Sequence, residues 1–382
     1  MHNRQTFYLF AFLGLLAPAT FAQTVSTLAS LGVAGDGITV APGGDIYVAG
    51  GGPTTVVLKI TPEGTVSTFV PDVPSPVGID MDSEGNFFVA NYRVNTVSKI
   101  SPSGEVSTFA TEMNGPAGVV VNAADEIFFA EFGADFSGTG AAVQKFSKDG
   151  VKETYIEGNG LQDPIGIAID EDQNLYVSNW NTGEIYKSDG TTVMLFAQIG
   201  GRVNQITYAN GYLYVPSPSL RKIFRIDGAG SVEHIAGTGA NGTADGPALE
   251  ATFVRPNGIA MAPDGRTLYI VDAGMQAIRV LDLETSTGVE DDAQPTGFVL
   301  RQNYPNPFNP TTNISFTLDR ATHVTVSVTD LLGREVAVLV DEPRAAGVYT
   351  VAFDASALAS GHYLYRIQAG AYAAARLLAV AK

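Results

Sequence analysis

From residue 24 to residue 288, apolar and polar side chains alternate in short runs broken by Gly-bearing turns. This period of two marks half-buried β-strands. One phrase recurs: DGITV (36–40), VGIDM (77–81), AGVVV (117–121), IGIAI (165–169), NQITY (204–208) and NGIAM (257–261). Its anchors are Gly37, Gly78, Gly118, Gly166, Gln205 and Gly258, spaced by 41, 40, 48, 39 and 53 residues. About nine residues after each anchor a second strand reads IYVA, FFVA, IFFA, LYVS, LYVP or LYIV. A third strand follows (TVSKI, EIYKS, AIRVL), then a turn such as PEG, PSG, KDG or SDG, then a fourth strand such as TVSTF, EVSTF or TVMLF. Units of four antiparallel strands at this period predict propeller blades.

The ends of the repeat region set the blade count. The sixth unit has three strands before it dissolves into LETSTGVEDDAQPTG, while the segment before the first anchor, TVSTL (24–28), nearly duplicates the fourth strands. The sequence therefore predicts an all-β chain whose residues 23–288 form a six-bladed propeller, closed when Thr24–Leu28 supplies the outer strand of the last blade. Closure leaves no large open edge. A stacked β-solenoid would need shorter repeats and no complementary missing strand.

Within residues 236–282 the phrases AGTG, DGP, a Phe-x-x-Pro-x-Gly-Ile-Ala run and LYI-x-D resemble an NHL repeat. The other blades resemble the broader six-bladed group that contains streptogramin lyase and the gluconolactonase/senescence-marker proteins. The resemblance implies the fold; members of this group include lyases, lactonases and pure binding modules, so fold does not choose between them.

Beyond an acidic linker (289–297), residues 298–382 change character. They read FVLRQNYPNPFNPTTNISFTL, then strands in VTVSV, YTVAF and YLYRI, which predict a small immunoglobulin-like β-sandwich. The run Asn303-Tyr304-Pro305-Asn306-Pro307-Phe308-Asn309-Pro310, followed by turns at Gly333 and Gly347, resembles the type A C-terminal sorting domain of the type IX secretion system of Bacteroidota and relatives. That resemblance implies passage across the outer membrane by the type IX machinery, then release or surface attachment. An adhesive immunoglobulin-like domain is the other reading of the shape. Residues 1–22 hold Arg4, an apolar run from Phe7 to Leu16 and Thr20-Phe21-Ala22, the layout of a cleavable export signal. No other run is long and apolar enough to span a bilayer, so a mature chain without a transmembrane segment is expected.

Charge narrows the partners. Acidic residues outnumber basic ones 39 to 22, a net of −17. Residues 23–295 carry 33 acidic and 14 basic side chains, residues 296–382 carry 6 and 7. Such a propeller repels phosphate backbones, which disfavours nucleic acid. The absence of Cys excludes disulfides, thiolate nucleophiles and Cys-ligated zinc.

Candidate chemistry falls on the face where the strand 4-to-1 and strand 2-to-3 connections gather. The residues before the anchors are Asp36, Val77, Ala117, Ile165, Asn204 and Asn257, so only blades 5, 6 and 1 place polar groups there. Oxygen donors converging at a channel mouth suit Ca²⁺ or Mg²⁺. Gluconolactonase-like enzymes hold a divalent metal partly with Asn or Asp at comparable positions, which extends the metal reading to Asp36, Asn204 and Asn257. No counterpart of those enzymes' early-strand Glu ligand is evident, and turn capping is the competing role. The chain has four His residues, His2, His234, His323 and His362, none near the mouth, which disfavours a His-based lyase. Glu131 and Asp272 remain as weak candidates for a general base. Asn91, Tyr92, Phe132, Asn179 and Trp180, at or just after the ends of second strands, are candidate ligand contacts for a small molecule, glycan or protein. The favoured function is a non-catalytic exported binding module; the alternative is a divalent-metal lactonase or lyase.

Overall fold

The computed structural model describes residues 23–134, 140–283, 299–300, 303, 308–318, 320–330, 333–370 and 372–381. The expected signal and the acidic linker lie outside the described residues.

Six sheets follow one another along the propeller. Blade 1 holds Ile38–Val40, Ile46–Ala49, Val57–Ile60 and Val66–Val70. Blades 2 to 5 begin with inner strands Pro76–Met81, Pro116–Val121, Pro164–Ile169 and Thr207–Ala209, each leading a four-stranded antiparallel sheet. Blade 6 holds Pro256–Met261, Thr267–Asp272 and Ala277–Asp282, and Thr24–Ser30 pairs antiparallel with the last of these. The ring is therefore closed by the N-terminal strand. A further two-residue strand, Gly246–Pro247, covers that strand's free edge, and the Ala248 N–H donates to the Gln23 carbonyl at 2.7 Å. Within the 237–251 segment, Gly246–Pro247 thus extends the sheet of blade 6.

The repeated glycine has a steric cause. A Cβ on Gly78 would lie 2.0 Å from the Ala117 carbonyl oxygen; on Gly118, 2.3 Å from that of Ile165; on Gly166, 2.3 Å from that of Asn204; and on Gly258, 2.2 Å from that of Asp36. Each inner strand thus abuts the residue that precedes the next blade's anchor, and the last contact returns to blade 1. The Gly37 N–H donates to the Val77 carbonyl at 2.6 Å, continuing the ring. Between blades, apolar second-strand residues such as Ile46, Phe129, Leu175 and Leu268 are fully or almost fully buried.

The face opposite the mouth is built from acidic turns. Asp82 and Asp170 each accept backbone N–H bonds two and four residues ahead, the Asx-turn chemistry that lets a short loop satisfy itself. Third-strand lysines pair with these turns: Lys59 with Asp45 at 2.7 Å, Lys145 with Glu126 at 2.7 Å and Lys187 with Asp170 at 3.3 Å.

The C-terminal region forms two sheets, Val299–Leu300/Thr311–Leu318/Gly347–Asp354 and Glu335–Arg344/Thr322–Asp330/Gly361–Ala369/Tyr372–Val380. Ile314, Phe316, Val324, Val326, Tyr365 and Leu378 belong to one buried core. Of the sorting motif, Tyr304, Pro305, Asn306 and Pro307 lie outside the described residues. Asn303 is buried and donates to Thr312 Oγ1 at 3.0 Å. Phe308 is buried, its ring 6.0 Å from that of Phe353 and its N–H bonded to the Ala379 carbonyl. Asn309 and Pro310 lead into Thr311–Leu318, and the Pro310 carbonyl accepts from the Ala355 N–H at 2.8 Å. Gly333 has φ +81°, the left-handed geometry that its turn requires, and Gly347 opens the edge strand.

Candidate functional site

In blades 3, 4 and 6 the residue closing the second strand is committed to structure. Glu131 Oε1 accepts the Asn114 N–H at 2.9 Å, Asn179 Oδ1 that of Gln162 at 3.0 Å, and Asp272 Oδ1 that of Arg255 at 2.7 Å. In every case the donor lies 17 residues earlier, on the segment that enters the same blade. In blade 2 that position is Pro74, which has no N–H; accordingly Asn91 Oδ1 is buried without a partner, and its amide turns to Thr96 and Ser98. The second oxygens of the two carboxylates are also taken, by Gln144 Nε2 on Glu131 and the Val254 N–H on Asp272. Glu131 and Asp272, the two candidate bases, therefore staple loops with both oxygens of each carboxylate.

Tyr92 and Phe132 are likewise interior. Both are buried, their rings meet edge-to-face at 6.0 Å, and the Tyr92 hydroxyl donates to the Gly133 carbonyl at 2.9 Å. Asn91 and Asn179 are buried in the staples just described. Of the five candidate ligand contacts, Trp180 alone keeps a partly exposed side chain, with the Arg202 guanidinium 5.7 Å from its ring centroid.

Asp36, Asn204 and Asn257 do come together. The Asn257 amide donates to Asp36 Oδ1 at 3.5 Å, and the Asn204 side chain acts on the same carboxyl. Asn204 and Asn257 are 3% and 8% exposed, and the Oδ1 of each is buried with no hydrogen-bond partner. Burial pushes the Asp36 carboxyl up to about 7, against the pull of the Arg255 charge and the two amides. The cluster is rich in acceptors and holds a carboxyl whose grip on its proton burial strengthens. A hard cation fits such oxygens; one carboxylate supplies little charge, and no group of three His, Asp or Glu side chains placed to hold a metal occurs among the described residues.

Alignment of the blades at their anchors brings out a signal not used above. Arg202-x-Asn204 and Arg255-x-Asn257 repeat at the same offset, where the other blades have Ala34, Ser75, Gly115 and Asp163. Both arginines are exposed. Asp163 is buried, accepts from the Asn181 amide at 2.5 Å and has its other oxygen unpartnered. The mouth is thus polar across blades 4, 5, 6 and 1 and apolar or small across blades 2 and 3.

A second carboxyl, the half-buried Asp80, ties three inner strands together. It accepts Thr39 Oγ1 from blade 1 at 2.9 Å and the Val121 N–H from blade 3 at 2.8 Å. Desolvation raises it from 3.8 to about 6. Between these values the unfolded chain ionises while the fold keeps the proton, so its contribution to stability is full below 3.8 and falls as pH rises through 6. Asp80→Asn keeps a carbonyl for Val121 and cannot ionise. Its advantage over the parent should grow from nothing near pH 4 to about 2 kcal/mol at pH 7.5, as read from urea midpoints across that range; an equal offset at both ends contradicts this.

Among the described residues no helix is long and apolar enough to cross a membrane. Comparison with solved structures places the propeller among six-bladed relatives in fold. A streptogramin B lyase superposes with TM-score 0.53 at 16% identity, covering 70% of this chain and 99% of that one. A gluconolactonase from Xanthomonas campestris gives TM-score 0.54 at 17% identity, covering 68% and 89%. A protein of unknown function from Bacteroides thetaiotaomicron gives TM-score 0.55 at 18% identity, covering 69% and 76%. Identity at this level speaks for the fold alone. Residues 302–380 match the family described as the secretion system C-terminal sorting domain, Por_Secre_tail; the chain carries a type IX sorting domain downstream of a β-propeller.

Proposed function

We propose that the protein is an exported binding module that takes its ligand at the mouth formed by blades 5, 6 and 1 and returns it unchanged. The type IX machinery engages the C-terminal domain and delivers the protein to the cell surface or the medium. The observation that carries the binding role is the pair of buried, unpartnered amide oxygens on Asn204 and Asn257 beside the Asp36 carboxyl. Unpaired buried acceptors cost free energy, and a ligand that supplies donors or positive charge recovers it. The occupation of Glu131 and Asp272 by backbone donors favours binding over proton transfer.

The same oxygen set suits Ca²⁺ or Mg²⁺, with Asp36 as the charged ligand and the two amide oxygens beside it. With one carboxylate the affinity belongs near the millimolar end of calcium sites. Calorimetric titration of the protein with calcium should show weak binding that Asp36→Ala abolishes; absence of heat at 10 mM (roughly tenfold above such a Kd) removes the cation. A metal-dependent lactonase or lyase is the second reading, favoured by the same three residues. Turnover of a sugar-lactone panel that requires the added metal and is lost in Asp36→Ala would establish it against the binding module.

A further inference from the structure

Lys59, Lys99, Lys145, Lys148 and Lys187 all form ion pairs at the end away from the mouth. Arg202 and Arg255 stand at the mouth instead, and no carboxylate among the described residues lies within 4 Å of either. In a chain of net charge −17, two exposed guanidinium groups with no carboxylate in direct contact, repeated at one offset in adjacent blades, are a local exception to the prevailing field, and the Arg255 charge reaches the Asp36 carboxyl. Guanidinium presents a planar fork that matches a carboxylate or phosphate.

The cluster next to these arginines in sequence decides the rest of the ligand. Asp36, Asn204 and Asn257 offer acceptors, two of them buried and unpaired, which suit hydroxyl donors and repel a bare phosphate. Trp180 offers a partly exposed ring whose centroid lies 5.7 Å from the Arg202 guanidinium. A flat apolar ring face, several hydroxyls and one carboxylate describe a uronic acid.

We infer that the mouth binds an acidic sugar, its carboxylate held by Arg202 and Arg255, its hydroxyls by Asp36, Asn204 and Asn257, and one ring face by Trp180. The inference rests on the binding-module reading and specifies its ligand class. It is tested by calorimetry on the full protein with trigalacturonate and with its neutral methyl ester. The acid should bind at least tenfold more tightly than the ester at 50 mM salt, with the gap closing at 500 mM, about as screening requires. Arg202→Gln and Arg255→Gln should each weaken the acid about tenfold and the ester much less, since the ester carbonyl accepts a hydrogen bond but carries no charge. Trp180→Ala should weaken both. The arginines are exposed, so unchanged melting temperatures certify the folds. Equal binding of acid and ester, lost in Trp180→Ala, overturns the acidic ligand and leaves the binding module standing. Binding of oligoglutamate in place of either sugar overturns the sugar. Failure of all three probes overturns the inference, and the calcium titration above then judges the mouth on its own.

Discussion

Removing Gln23–Ser30 should abolish cooperative folding of the propeller. The lost strand pairs with Ala277–Asp282 on one side and with Gly246–Pro247 on the other. It also carries Val25, buried in one cluster with Ile235, Phe253, Leu268 and Leu281. A ladder of six paired residues at roughly 0.5–1.5 kcal/mol per hydrogen bond, with about 2 kcal/mol for the valine, amounts to most of the 5–15 kcal/mol that stabilises an ordinary domain. The exposed edge of Ala277–Asp282 would then invite aggregation. Thermal unfolding followed by circular dichroism reads this out, and a synthetic Gln23–Ser30 peptide should restore part of the transition. A truncated protein that melts like the parent contradicts the closure.

Arg279→Met should cost about 3–5 kcal/mol, the usual penalty for breaking a buried ion pair from one side, and lower the melting temperature by roughly 10 °C. The Arg279 side chain is 0% exposed, yet it is a cation. It donates to the Thr252 carbonyl at 2.8 Å, the Ala244 carbonyl at 3.0 Å and Asp245 Oδ1 at 2.8 Å. Its guanidinium lies 5.0 Å from the Phe253 ring centroid and 3.9 Å from Asp272 Oδ2. Asp245 in turn accepts Thr27 N–H and Oγ1 from the closing strand. One side chain thus fastens the 244–253 segment, the staple at Asp272 and the N-terminal strand. Arg279→Lys should rescue little, because a single ammonium cannot span the carbonyls and the carboxylate together. Asp245→Asn should cost less, since Asp245 is half exposed. Equal stability of Arg279→Met and the parent would show that the network is dispensable.

The blades and their closure were legible because alternation, glycine anchors and the TVST phrase each report local structure, and all agree. The Gly246–Pro247 strand was not, since two residues with no β-propensity carry no periodic signal and pair only because Thr24–Ser30 leaves an edge. Asp36, Asn204 and Asn257 could be grouped from their shared position before the anchor, and the fold places them within reach of one another. Glu131 and Asp272 read as weak candidates for a general base; each also accepts a backbone N–H from 17 residues earlier, a bond that no side-chain pattern announces. Tyr92 and Phe132 follow second strands as Trp180 does, and only the loop path decides which ring is buried. The Arg-x-Asn repeat was present in the sequence throughout, but it emerges only when residues three before each anchor are compared across blades.

The most direct measurement of the central claim, a binding mouth without chemistry, follows the side-chain amide resonances of Asn204 and Asn257 while the labelled protein is titrated with trigalacturonate. Both amide pairs should shift and saturate together, and the sugar should be recovered intact. Binding that leaves these two pairs unmoved, or sugar returned cleaved, would contradict the account.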